Sequence, residues 1–283
     1  MMKSAVLRAG ERAAFGVISC GILAGPGLAD GNAIYRANNQ VGIGLIGSNI
    51  DYLEKNQVGK PLDGEKGTVL GGRLFISTMQ DIGTDNLYMA AELGIQGPRT
   101  QYTGSYMGGN YGDVKQDNAA TIYNQDFRIG KGFGFSDTFM VTPYLGLGAR
   151  EWQRGITGLG GYNELYSHGY GGAGLMVQVA AGPRVVLGAH GMIAQTFGPS
   201  MNASLSPGGA AIYPQQYWLG SSTLWMAGAD VDYAIDHNLH VSAGLEYSQF
   251  DYGQSGVSAI DHTYEPNSST TQWSAKMGIG YSF

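Results

Sequence analysis

From about Gln40 to the end of the chain, apolar residues return at every second position, and this period of two constrains the fold more than any other feature. Between 139 and 152, Val141, Pro143, Leu145, Leu147 and Ala149 share one face, and Thr142, Tyr144, Gly146, Gly148 and Arg150 share the other. Between 238 and 251, Leu239, Val241, Ala243, Leu245 and Tyr247 alternate with His240, Ser242, Gly244, Glu246 and Ser248. A helix would repeat its apolar positions at three and four instead. Ten stretches read this way as strands: 41–53, 68–79, 86–97, 120–131, 139–152, 169–181, 184–196, 222–234, 238–251 and 271–283.

The connections carry a second pattern. Short ones (QDIGTD, GFGFSDT, Ala181-Gly182-Pro183, IDHN) alternate with long polar ones rich in Gly, Ser, Asn and Pro. Glycine is 47 of 283 residues, more than double the usual share of about 7%. Past residue 29 no apolar run is long enough for a membrane helix, and lipid offers no partner to open backbone groups, so insertion requires a closed ladder. The expectation is an all-β, transmembrane, antiparallel up-and-down β-barrel of ten strands, with eight or twelve as alternative counts. Short turns would face the periplasm and long loops the exterior. Tyr123, Trp225, Tyr247 and Trp273 fall toward the external ends; Phe135, Phe139, Tyr233, Tyr281 and Phe283 fall toward the periplasmic ends. Aromatic rings concentrate at headgroup depth, so these form two belts.

The first 29 residues read as a secretory leader. Lys3, Arg8 and Arg12 precede the apolar Ala13 to Leu28, and Gly27-Leu28-Ala29 supplies the small residues of a cleavage site. The apolar run, about 16 residues broken by Gly21, Gly25 and Pro26, is shorter than the roughly 20 of a spanning helix. Residues 30–283 are then one barrel domain. Val17-Ile18-Ser19-Cys20 offers lipidation at Cys20 as the competing fate, although the chain stays apolar beyond it. Loss of Lys3, Arg8, Arg12 and Glu11 takes the formal net charge from −6 to −8, which argues against a nucleic-acid partner. Cys20 is the single cysteine, so the exported part has no disulfide and no thiol chemistry.

The closing residues KMGIGYSF place Lys276, Gly278, Tyr281 and Phe283 in the order polar, glycine, aromatic, terminal aromatic. This resembles the C-terminal signal of Gram-negative outer-membrane β-barrel proteins. The resemblance implies recognition by the barrel-assembly machinery, an outer-membrane location, and contact with outer-membrane lipid and lipopolysaccharide. Thr142 to Glu151, TPYLGLGARE, resembles a strand and turn of opacity-type and related surface-antigen barrels.

Motifs with possible chemistry read mostly as structure. Gly42-x-Gly44-x-x-Gly47 matches a dinucleotide fingerprint as text but lies inside a strand rather than at a helix start. His240-x-Ser242 resembles the pair in outer-membrane lipid hydrolases, yet it faces the lumen beside a periplasmic turn. Asp230-x-Asp232 resembles the paired aspartates of omptin proteases but precedes a periplasmic turn; Asp261-His262 is at the external end, with no second pair opposite. The five histidines show no spacing that converges on a metal. No catalytic, cofactor or metal residues are expected.

The inward charges are more informative. Arg73, Glu92, Asp126, Arg128, Glu246 and Lys276 fall near mid-height with His190, and Arg150 somewhat higher. Neighbouring strands set Arg73 beside Glu92 and Glu246 beside Lys276; Asp126 faces Arg128 or reaches toward Arg150. Charges at this depth persist only when paired in a polar interior. Balanced signs predict ion pairs across a filled lumen rather than a selectivity ring. The expected function is a non-catalytic surface protein acting through its barrel and Tyr-, Asn- and Gly-rich loops, with structural, adhesive or ligand-contacting roles. The competing readings are a small passive or gated channel, and an outer-membrane protease or lipid-modifying enzyme.

Overall fold

A computed structural model of the chain describes residues 33–105, 109–156, 161–205, 214–260 and 262–283. The leader with Cys20, Asp261 and part of the seventh connection lie outside the described residues. A short helix, α1 (Ala33–Asn38), comes first, followed by β1 (Gln40–Lys55), β2 (Pro61–Gln80), β3 (Leu87–Gly97) and β4 (Arg99–Gly104). Next are β5 (Val114–Lys131), β6 (Phe133–Ser136), β7 (Phe139–Gly155), β8 (Tyr162–Gly182) and β9 (Val185–Leu205). The chain ends with β10 (Gln215–Trp218), β11 (Thr223–Ala234), β12 (Leu239–Tyr252) and β13 (Asn267–Ser282).

All pairings are antiparallel, and β1 pairs with β2 on one side and β13 on the other, which closes the ring. Because β3 and β4 both pair with β2 and β5, they form one stave interrupted at Pro98. The closed barrel therefore has ten staves, in the order β1, β2, β3–β4, β5, β7, β8, β9, β11, β12, β13. Strand β6 adds a short edge to β7, and β10 folds back on β9.

The alternation sets the phase of each stave. Val41, Ile43 and Leu45 point outward and are exposed, while Ile46, Ser48, Ile50 and Tyr52 of the same strand are buried inside. In β13, Trp273, Met277, Ile279 and Tyr281 are exposed and Gln272 and Ser274 are buried. Trp273 and Tyr281 lie eight residues apart, about 27 Å along a strand, so the two aromatic belts bracket the hydrocarbon layer. Trp225 and Tyr123 are exposed with Trp273, and Tyr233 and Phe135 with Tyr281.

The staves extend further outward than hydrophobic alternation indicates. Strand β2 begins at Pro61 rather than 68, β5 at Val114 rather than 120, β8 at Tyr162 rather than 169, and β9 runs past 196 to Leu205. The third connection, expected to be a solvated loop, contains β4 and the start of β5. Above the lipid the outer face no longer has to be apolar, so the ladder continues after the hydrophobic alternation has faded. The outward ion pair Lys66–Asp51 (2.7 Å), with both partners largely solvent-exposed, marks this wet part of the wall.

The periplasmic lead-in also differs from a plain polar segment. Six residues are too few for a stable isolated helix. Tertiary contacts hold α1 instead: Ile34 is fully buried, and Asn38 and Gln178 exchange side-chain amide hydrogen bonds of 2.7 and 3.1 Å. Arg36 donates to the Pro183 carbonyl (2.7 Å), and Ser282 donates to the Arg36 carbonyl (3.2 Å). The helix thus covers the periplasmic opening. No helix among the described residues is long and apolar enough to cross a membrane; the strands cross instead.

Candidate functional site in the barrel lumen

Inward side chains fill the bore in tiers. Just above α1, Gln40 of β1 donates to Asp232 of β11 (2.8 Å), whose other oxygen lies 2.6 Å from His240 Nδ1 on β12. Ser242 sits two residues beyond His240 on the same face, but its hydroxyl takes a contact from Arg73 (3.4 Å) and the other ring nitrogen of His240 has no partner. A serine nucleophile requires its base within hydrogen-bond reach. That contact is not formed here.

The mid-height tier joins six of the seven charges assigned to the lumen network from sequence. Arg73 donates to Glu92 (2.7 Å), and Lys276 lies 2.8 Å from Glu92 and 3.2 Å from Glu246. Arg128 binds Asp126 (2.7 Å) and approaches Glu246 at 4.0 Å. His190 joins at 3.3 Å from Glu246 and 3.8 Å from Asp230. Asp230 and Asp232 therefore serve separate tiers and do not form a carboxylate pair. Strands β5 and β12, which carry Arg128 and Glu246, stand five places apart in the ten-stave ring. Their contact spans the bore. Between this tier and α1 remains a cavity of about 200 Å³, lined by both charged and apolar side chains.

Arg150 stands apart from the network. It was expected to lie within reach of Asp126, but Asp126 is held by Arg128 and by the Tyr170 hydroxyl (3.1 Å). Arg150 instead donates to Asn124 (3.1 Å) and lies against the Phe250 ring. Lateral strand pairing sets Arg150 beside Asn124 and His168 rather than beside an acid.

The largest cluster, at the external mouth, was not read from the sequence. Arg154 is fully buried and contacts four carboxylates: Glu164 (2.6 Å), Glu65 (2.7 Å), Asp63 (3.2 Å) and Glu54 (3.5 Å). Its guanidinium also lies 4.7 Å from the ring of Tyr52 and 5.1 Å from that of Trp152. Thr100 and Asn118 donate to Glu65, the latter at 3.0 Å. The hydroxyls of Tyr52 and Tyr166 meet at 3.1 Å, again across five places in the ring. Expected strands ending at 53 and 152 and starting at 68 and 169 cut off every charged member. The period of two does continue through Asp63-x-Glu65, Arg150-x-Trp152-x-Arg154 and Glu164-x-Tyr166-x-His168, and would have found them.

The β12–β13 connection closes this mouth. Glu265 is buried and accepts a hydrogen bond from Tyr166 (2.5 Å), while its backbone pairs with Ser255. Burial first, and then repulsion from Glu164, push the Glu265 carboxyl up to about 8. A carboxyl raised in this way stabilises the closed mouth while protonated, and that contribution is lost as pH rises through its folded value. Proteolytic nicking of the 253–266 connection is therefore expected to accelerate between about pH 4.5 and about pH 8 and to level off above, and Glu265→Gln should flatten the profile. A flat wild-type profile would count against this closure. His262, in the same connection, is exposed and stands apart from any carboxylate pair among the described residues. Among those residues no group of three or more His, Cys, Asp or Glu is arranged to hold a metal ion.

No family model matches this chain, and no curated protein does. Solved outer-membrane barrels are similar in structure. The outer-membrane protease OmpT from Escherichia coli aligns at 10% identity over 86% of this chain and 95% of its own, with a TM-score of 0.55. The Pseudomonas putida toluene transporter TodX aligns at 12% identity over 90% and 93%, with a TM-score of 0.36. Neisserial surface protein A aligns at 12% identity over 86% and 97%, with a TM-score of 0.32. The likeness to OmpT is one of fold: this chain has the architecture of an outer-membrane β-barrel.

Proposed function

We propose that the chain is a non-catalytic integral outer-membrane surface protein, with a filled barrel as scaffold and its external extension and loops as the contact surface. The cross-bore contact of Arg128 with Glu246 carries this reading, because side chains from opposite walls meet inside the lumen. A barrel near eight staves is just filled by its side chains, and ten leaves little more room. On the outside, Trp218 is exposed beside β9, in a connection rich in Tyr, Ser, Gly and Asn, the composition of adaptable contact surfaces. The same reading places the protein among outer-membrane lipid and lipopolysaccharide, with Lys276, Gly278, Tyr281 and Phe283 read by the assembly machinery.

Planar-bilayer recording tests the filled bore. Wild-type protein is expected to give little steady current, and the Arg128→Ala/Glu246→Ala double variant more. A large, steady wild-type pore would overturn the reading. A gated channel is the second reading, favoured by the cavity of about 200 Å³ below the ion-pair tier. The surface role is tested by loop-deletion variants in pull-downs on intact cells: deletion is expected to abolish capture, and full capture after removal of every long loop would overturn it.

A further inference from the structure

We propose that Arg150 and His168 form a lumen binding site for a small monovalent carboxylate. Both side chains point inward as register partners on β7 and β8, and they are 6% and 2% exposed. One terminal nitrogen of Arg150 is used by Asn124 (3.1 Å), but Nε and Nη2 are buried without a partner. These two N–H groups share one edge of the planar guanidinium, the edge that takes both oxygens of a carboxylate through parallel hydrogen bonds. The free donors are thus a complete fork rather than two unrelated orphans.

The contrast with the other inward arginines is chemical. Arg73, Arg128 and Arg154 each hold a carboxylate within 2.7 Å. Arg150 forms no ion pair among the described residues, although a buried cation without a counter-ion is strongly disfavoured. His168 adds a second donor at the same level. Its Nδ1 is 2.7 Å from the Tyr252 hydroxyl, its ring packs 4.7 Å from that of Phe250, and its Nε2 has no partner. With Tyr252 donating to Nδ1, Nε2 carries the ring proton and faces the ligand as a neutral donor.

The surroundings select the ligand. Phe250 backs the guanidinium at 5.6 Å, so one side of the site is apolar. The tier below is balanced, Arg73, Arg128 and Lys276 against Glu92, Asp126 and Glu246, whereas the cluster above sets one cation among four carboxylates, and its negative field disfavours multiply charged anions such as phosphate. The site therefore fits a short carboxylate with a small apolar body. The inference is independent of whether the bore conducts.

The probe is sodium acetate, compared with sodium chloride at equal ionic strength, and the readout is the thermal conversion temperature of folded barrel in detergent. Wild-type protein is expected to show a saturable, acetate-specific rise. Arg150→Met should lower acetate affinity by roughly ten- to a hundredfold, the equivalent of one or two charge-assisted hydrogen bonds. Asn124→Asp places a carboxylate beside Arg150, and should raise the conversion temperature without acetate while removing the acetate response. Absence of the rise in wild type, or its persistence in Arg150→Met, would overturn the proposal. If Arg150→Met does not fold, an unchanged acetate response in Asn124→Asp overturns it alone.

Discussion

Replacing Arg154 with methionine is expected to lower stability by at least about 4 kcal/mol, the largest effect of any single side-chain change in the lumen. The basis is asymmetry. Removing both partners of a buried ion pair is often neutral, whereas removing one leaves an uncompensated charge and costs about 3–5 kcal/mol. Here one cation serves Glu54, Asp63, Glu65 and Glu164, so three buried carboxylates and one half-buried one lose their partner together. Methionine keeps most of the stem that packs against Tyr52 and Trp152, which separates the charge from the packing. The conversion temperature of the folded band on denaturing gels measures the loss. Acidification should reduce the deficit by protonating the stranded carboxylates. Arg154→Lys should be intermediate, because an ammonium restores the charge but cannot reach several acids with a planar fork. An Arg154→Met barrel as stable as the parent would refute this account of the mouth.

Gly71→Val is expected to impair barrel closure, costing more than about 3 kcal/mol. A Cβ at Gly71 would lie 1.8 Å from the Ile95 carbonyl oxygen and 2.7 Å from the Gln96 Cα. Both are backbone atoms of the neighbouring stave, paired with β2 at this register, and no rotamer change relieves them. A strand bends most sharply inward where it carries no side chain. Gly94 provides the control: it lies on the adjacent stave, but a Cβ there meets nothing within 4 Å. Gly94→Ala should therefore stay within about 0.5 kcal/mol of the parent, in the range of an ordinary tolerated change. The fraction of heat-modifiable barrel recovered after refolding distinguishes the two. Equal recovery would show that the ladder relaxes around Gly71 more easily than its geometry implies.

Much of this architecture is legible in the chain because a strand has period two and lipid permits few solutions. The phase of β13 follows from Trp273, Met277, Ile279 and Tyr281, and that of β7 from Leu145 and Leu147. The neighbours Arg73 and Glu92 then follow by simple adjacency. Strand length is less legible. The stretches 61–67, 114–119, 162–168 and 197–205 continue the ladder above the membrane, where neither face has to be apolar. Helix α1 was hidden for a related reason: its six residues fold only because the rim of the barrel receives Ile34 and Asn38.

The sequence by itself determined which residues turn inward and favoured ten staves over eight or twelve, since both depend on local alternation against lipid. Only the tertiary structure decided which inward residues meet. Arg128 with Glu246, Tyr52 with Tyr166, and Arg154 with the acids of β1 and β2 are contacts across the bore. Arg150, on the same face as Arg154, finds no acid at all. The diameter, tilt and stagger of the closed ring set those distances. No single stave carries that information, so these cross-bore contacts are a property of closure rather than of any one strand.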